Sequence, residues 1–364
     1  MIRIPVAAPS RPYEALLENG LLARAGECLG TIVSNRRVFI VTVPPVRRRW
    51  ARVLMKSLAA SGIESAILVM PDGERFKRLT TLEKLAEKLI KLGADRSATM
   101  IALGGGVVGD VTGFLASIYM RGVDVIQVPT TVLAQLDAAI GGKTGVNLQS
   151  GKNLLGTFHQ PCAVLIDPRV LTTLPSREYR AGLYEALKCG IIGDPGLFRL
   201  FEDRRREILD REPEVVEKVI ADSVRLKASV VSADERESGL RQVLNLGHTI
   251  GHALEAETRY TQLLHGEAVA WGTIAATHIA LSMGKLDSVA AGRITSALLS
   301  LGSLPRVKVN ATNVMKLLRS DKKTRAGVVH FVLPREIGKV EIVSDVPEAM
   351  VRSAVDEIRK LAQA

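Results

Sequence analysis

Aromatic residues are scarce in this chain, and their scarcity argues against one class of function. Only 4% of the 364 residues are aromatic, so few side chains could stack against the bases of a nucleic acid. The formal net charge is +11, and arginines are clustered at 47–49 and 204–206. Both clusters fall in predicted helices, where such runs are usually solvated faces. We therefore expect no nucleic-acid partner and attribute the positive charge to a small anionic substrate.

Cysteines and long apolar runs are also few. Cys28, Cys162 and Cys189 are odd in number and have no spacing typical of a metal site, which predicts buried thiols in a reduced compartment. No run approaches the roughly 20 apolar residues of a membrane span. The first residues, Met1–Val6, lack the layout of a signal peptide. We expect a cytoplasmic protein without a membrane partner.

What the chain does contain is an alternation of strands and helices in its first half. The length of 364 residues predicts two domains. Buried strands alternating with amphipathic helices indicate a parallel, doubly wound sheet. The predicted strands are 38–43, 66–70, 98–103, 123–128 and 163–167, with helices at 46–61 and 80–92.

Helical periodicity dominates after residue 170. We therefore predict an α/β protein with an N-terminal parallel-sheet nucleotide-binding domain, 1–170, and a mainly α-helical C-terminal domain, 171–364. The elements predicted in the second domain are helices at 213–233, 241–257, 265–283 and 347–362, and a hairpin of 330–334 with 339–343.

A glycine-rich turn, Gly104–Asp110, joins the third strand to a helix. It satisfies Gly-x-Gly-x-x-Gly, a pattern whose backbone N–H groups cradle a pyrophosphate at a helix N-terminus. It does not follow the first strand, and no acid lies about 20 residues further on, so a standard dinucleotide fold is not indicated. Glu74, in a turn after the second strand, could bind ribose hydroxyls or be a solvated turn acid. Lys143 and Lys152 occur downstream in glycine-rich loops, and lysine suits phosphate.

Histidines are concentrated near the middle of the second half. His248 and His252 are four residues apart, which places both imidazoles on one face of a helix, and His265 follows. Two core histidines are the alternative, but Gly247 and Gly251 would be costly inside a helix unless another group approached closely. The pattern therefore favours a functional site, and a metal is a candidate because neutral imidazole is the commonest protein ligand for a divalent metal, but the helix alone does not identify the kind of site.

Glu185 is the best candidate to complete such a metal site. Glu185 and Lys188 share a helix face, at the i, i+3 spacing of a surface ion pair. Their neighbours are apolar, which predicts burial, and a buried carboxylate needs a partner or a metal.

Seven motifs in this order resemble the 3-dehydroquinate synthase family, over about residues 38 to 343. They are Gly104–Asp110, Tyr119–Gly122, Gly151–Pro161, Glu185–Lys188, Leu240–Asn245, Gly247–His252 and Leu264–Ala268.

The resemblance implies a site in the cleft between the two domains, with NAD and a divalent metal, zinc or cobalt. Glu185, His248 and His265 match the metal-ligand positions, and two imidazoles with one carboxylate also suit catalytic zinc. Glu237 and His252 match general acid/base positions. The NAD-contacting positions are Glu74, Lys77, Gly105, Gly106, Asp110, Thr130, Thr131, Lys152 and Thr173. The substrate positions are Arg121, Asp137, Lys143, Asn153, Lys188, Lys227, Arg241, Asn245 and Lys322 or Lys323, with Lys143 and Arg241 also catalytic.

The activity implied by the resemblance is conversion of 3-deoxy-D-arabino-heptulosonate 7-phosphate to 3-dehydroquinate and phosphate in the shikimate pathway. It runs through alcohol oxidation by NAD, phosphate elimination, carbonyl reduction, ring opening and aldol closure, with no net redox change. We expect a homodimer. Many family members have a polar residue, often Asp, where this chain has Val43, so we expect weaker NAD binding.

Three alternatives remain open at this stage. A related sugar-phosphate cyclase could make another carbocycle, although Asn153, Lys227, Arg241 and Asp321–Lys323 favour dehydroquinate synthase. A metal-dependent polyol or glycerol-phosphate dehydrogenase would release NADH and would not need so many anion contacts. A catalytically inactive binding protein is disfavoured by the intact ligand trio.

Overall fold

The structure of the protein, a computed structural model, describes residues 1–33, 35–307, 310–320 and 329–363. The chain forms two compact units, one of Met1–Leu174 with Val216–Arg236 and the other of Pro175–Val215 with Glu237–Ala364. Residues 216–236 therefore belong to the first unit, whereas the sequence places everything after 170 in the second domain. One contact that ties residues 216–236 to the first unit is the ion pair between the Lys227 ammonium and the Asp137 carboxylate.

Strands and helices alternate through the first half of the chain, as predicted, and helices dominate the second. The strands are β1 (Ile2–Val6), β2 (Tyr13–Leu17), β3 (Arg37–Thr42), β4 (Glu64–Val69), β5 (Thr99–Gly104), β6 (Asp124–Pro129), β7 (Lys143–Leu148), β8 (Gly151–Phe158), β9 (Ala163–Ile166), β10 (Phe331–Glu336) and β11 (Lys339–Val343). The α-helices are α1 (Ala25–Leu29), α2 (Pro44–Val46), α3 (Arg52–Ala60), α4 (Leu79–Lys91), α5 (Gly106–Ile118), α6 (Ser176–Gly193), α7 (Pro195–Asp203), α8 (Arg205–Leu209), α9 (Pro213–Ala233), α10 (His248–Glu257), α11 (His265–Ser282), α12 (Ser288–Ser300), α13 (Ala311–Ser320) and α14 (Glu348–Leu361).

The first unit is built on a seven-stranded sheet in the order β1-β2-β9-β6-β5-β3-β4. Every neighbouring pair is parallel except β1 with β2. All six residues of β5 are buried, as expected for a central strand covered on both faces. Because β4 and β5 lie on opposite sides of β3, the strand order reverses between β3 and β5. The carboxyl ends of these two strands form the crevice in which open α/β sheets bind ligands.

Strands β1 and β2 and the β7–β8 hairpin were not predicted from the sequence. The hairpin covers the stretch that was predicted to be glycine-rich loops. Gly145 pairs with Gly156 across it, and a Cβ on Gly145 would lie 2.7 Å from the carbonyl oxygen of Leu155. These glycines allow two backbones to approach closely, a role for glycine that is distinct from loop formation.

Helix α11 is the central element of the second unit. It packs against α6, α10, α12 and α14. It is buried on all sides, since 14 of its 18 residues are buried, including Trp271. Close packing against α10 depends on small residues, because a Cβ on Gly251 would lie 2.9 Å from the carbonyl oxygen of Ala268. No helix in the described ranges is both long and apolar enough to cross a membrane.

The predicted continuous helix 241–257 is broken in the structure. Leu240–Asn245 forms a 3-10 helix, and α10 begins only at His248. Gly247 stands between them with φ 77°, a left-handed conformation that glycine adopts without strain. The prediction that Gly247 lies in a helix interior was therefore wrong, because this glycine makes the turn that starts the helix.

Candidate active site

Glu185 lies in the middle of α6, on a part of the helix that is buried on all sides. Its side chain is 1% exposed, and the Lys188 ammonium lies 2.5 Å from Oε2. The other carboxylate oxygen, Oε1, accepts no hydrogen bond from any residue that the structure describes. A buried carboxylate in this state retains strong affinity for a further cation.

Two imidazoles face this carboxylate. Nε2 of His265 lies 3.6 Å from Glu185 Oε1, and Nε2 of His248 lies 3.9 Å from the same oxygen. The Nδ1 atom of His248 is 3.1 Å from the carbonyl oxygen of Leu246. Because a carbonyl can only accept, Nδ1 must carry the proton, and in the neutral ring Nε2 then presents its lone pair towards Glu185.

The three side chains fit a divalent metal. One ligand atom from each of Glu185, His248 and His265 lies within 4.8 Å of the others. Ligands about 2.1 Å from a tetrahedral zinc are separated by about 3.4 Å from one another, and the distances of 3.6 and 3.9 Å from Glu185 Oε1 to the two histidine nitrogens are close to that separation. The buried Glu185 carboxylate supplies negative charge for such an ion, and its Oε1 atom faces both histidines.

Glu255 supports His265 from behind. Its Oε2 atom lies 3.2 Å from Nδ1 of His265, and its side chain is 4% exposed. A carboxylate on the far nitrogen fixes the tautomer and raises the basicity of a ligating histidine. Glu255 was not predicted as a site residue, although its position three residues after His252 places it on the same helix face. The ring centroid of His252 lies 5.3 Å from that of His248 and 5.9 Å from that of His265.

The residues just before α10 form a second polar group in this unit. Asn245 donates to Oε1 of Glu237 at 2.7 Å, and Glu237 has φ 58°, a conformation uncommon outside glycine. Arg241 is 1% exposed. Burial of a guanidinium group requires anionic or polar partners, so Arg241 adds a buried positive charge to this polar group.

In the first unit, the glycine-rich turn lies at the carboxyl end of β5. Gly105 is the N-cap of α5, and a Cβ there would lie 3.0 Å from the Thr131 methyl group. Thr131 itself follows β6 and caps the backbone N–H of Ala134 at 3.1 Å. Gly105 and Gly106 have no side chains that would shield their backbone N–H groups. These N–H groups could therefore donate hydrogen bonds to an anionic group in the crevice between β3 and β5.

Three predicted residues meet beside α5. The buried Lys77 ammonium donates to the carboxylate of Asp110 and to the amide oxygen of Asn153. Burial raises the pKa of the Asp110 carboxyl, and the Lys77 ammonium opposes that rise. Asn147 was not predicted, yet it donates to Glu74 at 2.7 Å and accepts from the backbone of Asn153 at 2.9 Å. The amide of Asn147 thus joins predicted cofactor and substrate positions.

Asp137 and Lys227 form the other polar pair of the first unit. The Lys227 ammonium donates to Oδ1 of Asp137 at 2.6 Å and to its carbonyl oxygen at 2.5 Å. Lys143 and Lys152 lie at opposite ends of the β7–β8 hairpin, so the hairpin does not bring their ammonium groups together. Thr173 accepts from the indole N–H of Trp50 at 3.2 Å.

Arg121 lies apart from the other predicted residues of the first unit. It follows α5 and precedes β6, at the amino edge of the parallel strands, whereas Thr130 and Gly105 lie at the carboxyl edge. Its side chain is exposed. The structure therefore does not bring Arg121 together with them within this unit. The predicted Lys322 and Lys323 lie outside the described residues.

Comparison with known proteins agrees with the motifs. The family model for 3-dehydroquinate synthase N-terminal matches residues 67–181, and the model for 3-dehydroquinate synthase C-terminal matches residues 182–324. The 3-dehydroquinate synthase of Koribacter versatilis (strain Ellin345) is 53% identical over 363 residues, which cover 100% of this chain and 99% of that protein. The chain belongs to the 3-dehydroquinate synthase family.

Solved sugar-phosphate cyclases share the fold of this 3-dehydroquinate synthase family member. The 2-epi-5-epi-valiolone synthase ValA from Streptomyces hygroscopicus, with NAD+ and Zn2+ bound, has a TM-score of 0.88 and 31% identity, covering 96% of this chain and 97% of ValA. A 2-deoxy-scyllo-inosose synthase complexed with carbaglucose-6-phosphate, NAD+ and Co2+ has a TM-score of 0.87 and 27% identity, covering 99% of each chain. The predicted α/β fold class is thereby confirmed.

Proposed function

We propose that this protein is a 3-dehydroquinate synthase, which converts 3-deoxy-D-arabino-heptulosonate 7-phosphate to 3-dehydroquinate and phosphate. The observation that carries the proposal is the group formed by Glu185, His248 and His265, in a chain with full-length 3-dehydroquinate synthase relatives. A carboxylate and two imidazoles suit a catalytic metal that keeps an open position for substrate.

The proposed cofactors are NAD and a divalent metal, zinc or cobalt. Glu185, His248 and His265 would hold the metal, and the glycine-rich turn with Lys77, Asp110, Thr130 and Thr131 would hold NAD. Glu74, Lys152 and Thr173 complete the proposed NAD contacts. When bound, NAD accepts a hydride and returns it, while the metal polarises the reacting hydroxyl and carbonyl.

The chain's own side chains supply binding and proton transfer. Buried Lys188, Lys227 and Arg241 would neutralise the carboxylate and phosphate of the substrate, and Lys143 would add a further charge. Asp137, Asn153 and Asn245 would orient hydroxyl groups. His252 and Glu237 would move protons, because an imidazole exchanges its proton near neutral pH. Arg121 and Lys322 remain proposed substrate contacts.

A related cyclase is the nearest rival function. ValA and the inosose synthase have the same fold at 31% and 27% identity, whereas the Koribacter versatilis 3-dehydroquinate synthase is 53% identical over nearly the whole length of both chains. The buried cations on α6 and α9 and in the 3-10 helix before α10 also favour a substrate with both a carboxylate and a phosphate. A polyol dehydrogenase would have no need of them.

Stoichiometry of NAD tests the proposal. NAD is supplied at about one hundredth of the heptulosonate phosphate, and released phosphate and absorbance at the NADH band are followed. A synthase returns the hydride to its substrate, so the amount of phosphate released should equal the amount of substrate supplied. NADH should then appear only briefly and in a small amount. Phosphate that stops at the NAD concentration, with matching NADH, would overturn the proposal in favour of a dehydrogenase.

The proposal extends to assembly and compartment. A homodimer is proposed, which sedimentation velocity would distinguish from a monomer of 39.3 kDa. A cytoplasmic location is supported by the three cysteines, none of which forms a disulfide with another described residue. Fractionation of cells that express the full-length protein would test the location.

A further inference from the structure

Helix α11 begins at His265, so the position of this proposed metal ligand depends on how the N-terminus of the helix is held. The preceding segment, 258–264, connects α11 to α10, which carries His248. Arg259 and Tyr260 in this segment have φ values of 52° and 58°. Residues other than glycine adopt this conformation only where surrounding contacts impose it. The connection between the two helices that carry proposed ligands is therefore held by contacts rather than by its own conformational preference.

The Glu267 carboxylate holds the start of α11 from within the helix. Its Oε2 atom accepts from the backbone N–H of Leu264, the N-cap residue, at 2.8 Å. A glutamate at the third position of a helix stabilises the helix start in this way, because it satisfies a backbone donor that has no partner in the helix. Glu267 is 4% exposed, and a buried carboxylate also requires a cation or further donors.

Arg177 of α6 is the cation that meets Glu267. Its Nε atom donates to Oε1 of Glu267 at 2.7 Å, and its Nη2 atom donates to Oε2 at 2.8 Å. Two parallel bonds of this kind fix the relative orientation of the groups as well as their distance. The same Nη2 atom donates to the carbonyl oxygen of Gln262 at 2.8 Å. One guanidinium group thus joins α6, the connecting segment and the first turn of α11.

The two helices that this ion pair joins also carry Glu185 and His265. Gly266, the residue after His265, packs so closely against α6 that a Cβ would lie 1.8 Å from the carbonyl oxygen of Ala181. Ala181 is one helical turn before Glu185, whose Oε1 atom is 3.6 Å from Nε2 of His265. The glycine sets how near α11 comes to α6, and the ion pair sets where along α6 its first turn lies.

We propose that Arg177 and Glu267 are positioning residues, which hold His265 at the distance from Glu185 that a divalent metal requires. The inference rests on the proposed metal site and extends it to two residues that were not predicted as site residues. Both act through the N-terminus of α11 rather than as ligands. A ligand that is already held in place loses less conformational freedom when the metal binds. Loss of the ion pair should therefore weaken metal binding although all three ligands remain.

Removal of the Arg177 guanidinium group from the full-length protein tests the inference. The zinc affinity of Arg177→Ala, measured by competition with a chelating dye, should fall about tenfold, the lower end of the range for outer partners of metal ligands. Arg293→Ala is the matched control, because Arg293 pairs with Glu202 through the same two nitrogens, at 2.9 and 2.7 Å, but joins α12 to α7. Its zinc affinity should stay within about twofold of that of the parent protein, since such a pair contributes to stability alone.

A cobalt spectrum separates positioning from stability. The visible absorption of bound Co2+ depends on the number and arrangement of its ligands. With saturating Co2+, the spectrum should change in Arg177→Ala and stay as in the parent protein in Arg293→Ala, even where thermal denaturation gives the two variants equal melting temperatures. Arg177→Lys keeps the charge but cannot form the two parallel bonds, so its zinc affinity should fall by about threefold, between those of the parent protein and Arg177→Ala.

The two variants of Arg177 keep the inference open to contradiction. A zinc affinity and a Co2+ spectrum like those of the parent protein in Arg177→Ala would overturn it and leave the ion pair with a structural role only. If Arg177→Ala does not fold, the same result in Arg177→Lys would overturn it. A parent protein that binds no stoichiometric zinc would instead contradict the metal site of the proposed function.

Discussion

The Glu185 carboxylate is buried, and the Lys188 ammonium is the described cation that contacts it. Replacing it by glutamine keeps the shape and removes the charge, so Glu185→Gln should lose stoichiometric metal while the fold is retained. Elemental analysis after dialysis, together with circular dichroism, would measure both. Glu178→Gln is the control, since Glu178 is exposed on the same helix. Equal metal content in both variants would remove Glu185 from the site.

A substitution of Glu255 tests the same proposed metal site, but it is expected to weaken metal binding rather than abolish it. Glu255 contacts His265 rather than the proposed metal position. Loss of such a partner typically lowers metal affinity by about 10–100-fold. Glu255→Gln should therefore still bind zinc, but with an affinity reduced by about that factor in a competition titration with a chelating dye. An unchanged zinc affinity would show that Glu255 does not tune the histidine.

Glu235 is expected to affect stability through pH. Burial by itself raises the pKa of this carboxyl, but hydrogen bonds from Ser10 and Gln160 outweigh it, and the pKa lies below its ordinary value. Gln160 donates at 2.7 Å and the Ser10 backbone N–H at 3.0 Å. The folded state therefore gains stability above the unfolded pKa of about 4.3. That gain is lost as pH falls through the lowered folded value.

The measurement is urea unfolding as a function of pH. The parent protein should lose stability below about pH 4.5 more steeply than Glu235→Gln, whose amide does not titrate. Glu207→Gln controls for a surface carboxylate whose pKa is also lowered, by a hydrogen bond from Arg204. Parallel curves for the parent protein and Glu235→Gln would show that this carboxylate is not coupled to folding.

Among the structural elements, the turn before α10 makes the sharpest prediction. A Cβ on Gly247 would lie 2.6 Å from the carbonyl oxygen of Val269, in a backbone conformation of φ 77°. Gly247→Ala should destabilise the protein by roughly 1–3 kcal/mol from backbone strain alone, and by more from the clash. Gly292→Ala, in α12 with nothing within 4 Å, should stabilise it by roughly 0.5–1 kcal/mol. Thermal denaturation of both variants would measure the contrast, and equal melting temperatures would contradict it.

The sequence predicted the elements whose signal lies within one segment. The parallel strands and the amphipathic helices α4 and α14 have a clear local period, so hydrophobic patterning was sufficient. The β7–β8 hairpin was missed because Gly145 and Gly156 contribute through their cross-strand pairing, which local composition does not reveal. The turn at Gly247 was missed for a similar reason, since its backbone is fixed by the contact with α11.

The candidate site could be predicted as far as residue chemistry allowed. Histidines at i, i+4 and an acid among apolar residues indicated His248 and Glu185 before any geometry was known. Asn147 could not be found in this way, because an amide has a supporting role only once its tertiary partners, here Glu74 and Asn153, are known. The return of α9 to the first unit was likewise invisible, since the ion pair of Lys227 with Asp137 joins residues 90 positions apart.

At the scale of the whole molecule, the net charge of +11 raises the question of whether the overall field or local cations bind the substrate. The proposed substrate has a carboxylate and a phosphate, and a phosphate monoester carries about −1.5 to −2 at neutral pH. Exposed charges are screened over a Debye length of about 8 Å at 0.15 M ionic strength, whereas buried charges are screened far less. The local cations should therefore dominate at physiological ionic strength.

Two sets of variants separate the contributions. Arg205 and Arg206 are exposed on α8, and Lys227 is 7% exposed beside Asp137. Changing both arginines to glutamine lowers the net charge by two, and kcat/KM at 0.15 M salt should stay within about twofold. Lys227→Gln lowers it by one, yet kcat/KM should fall more than tenfold, because a buried charge-assisted contact is lost. At about 0.01 M salt, where the Debye length grows to about 30 Å, the arginine variant should also lose rate. A larger loss in the arginine variant than in Lys227→Gln at 0.15 M would mean that the overall field, rather than the buried lysine, captures the substrate.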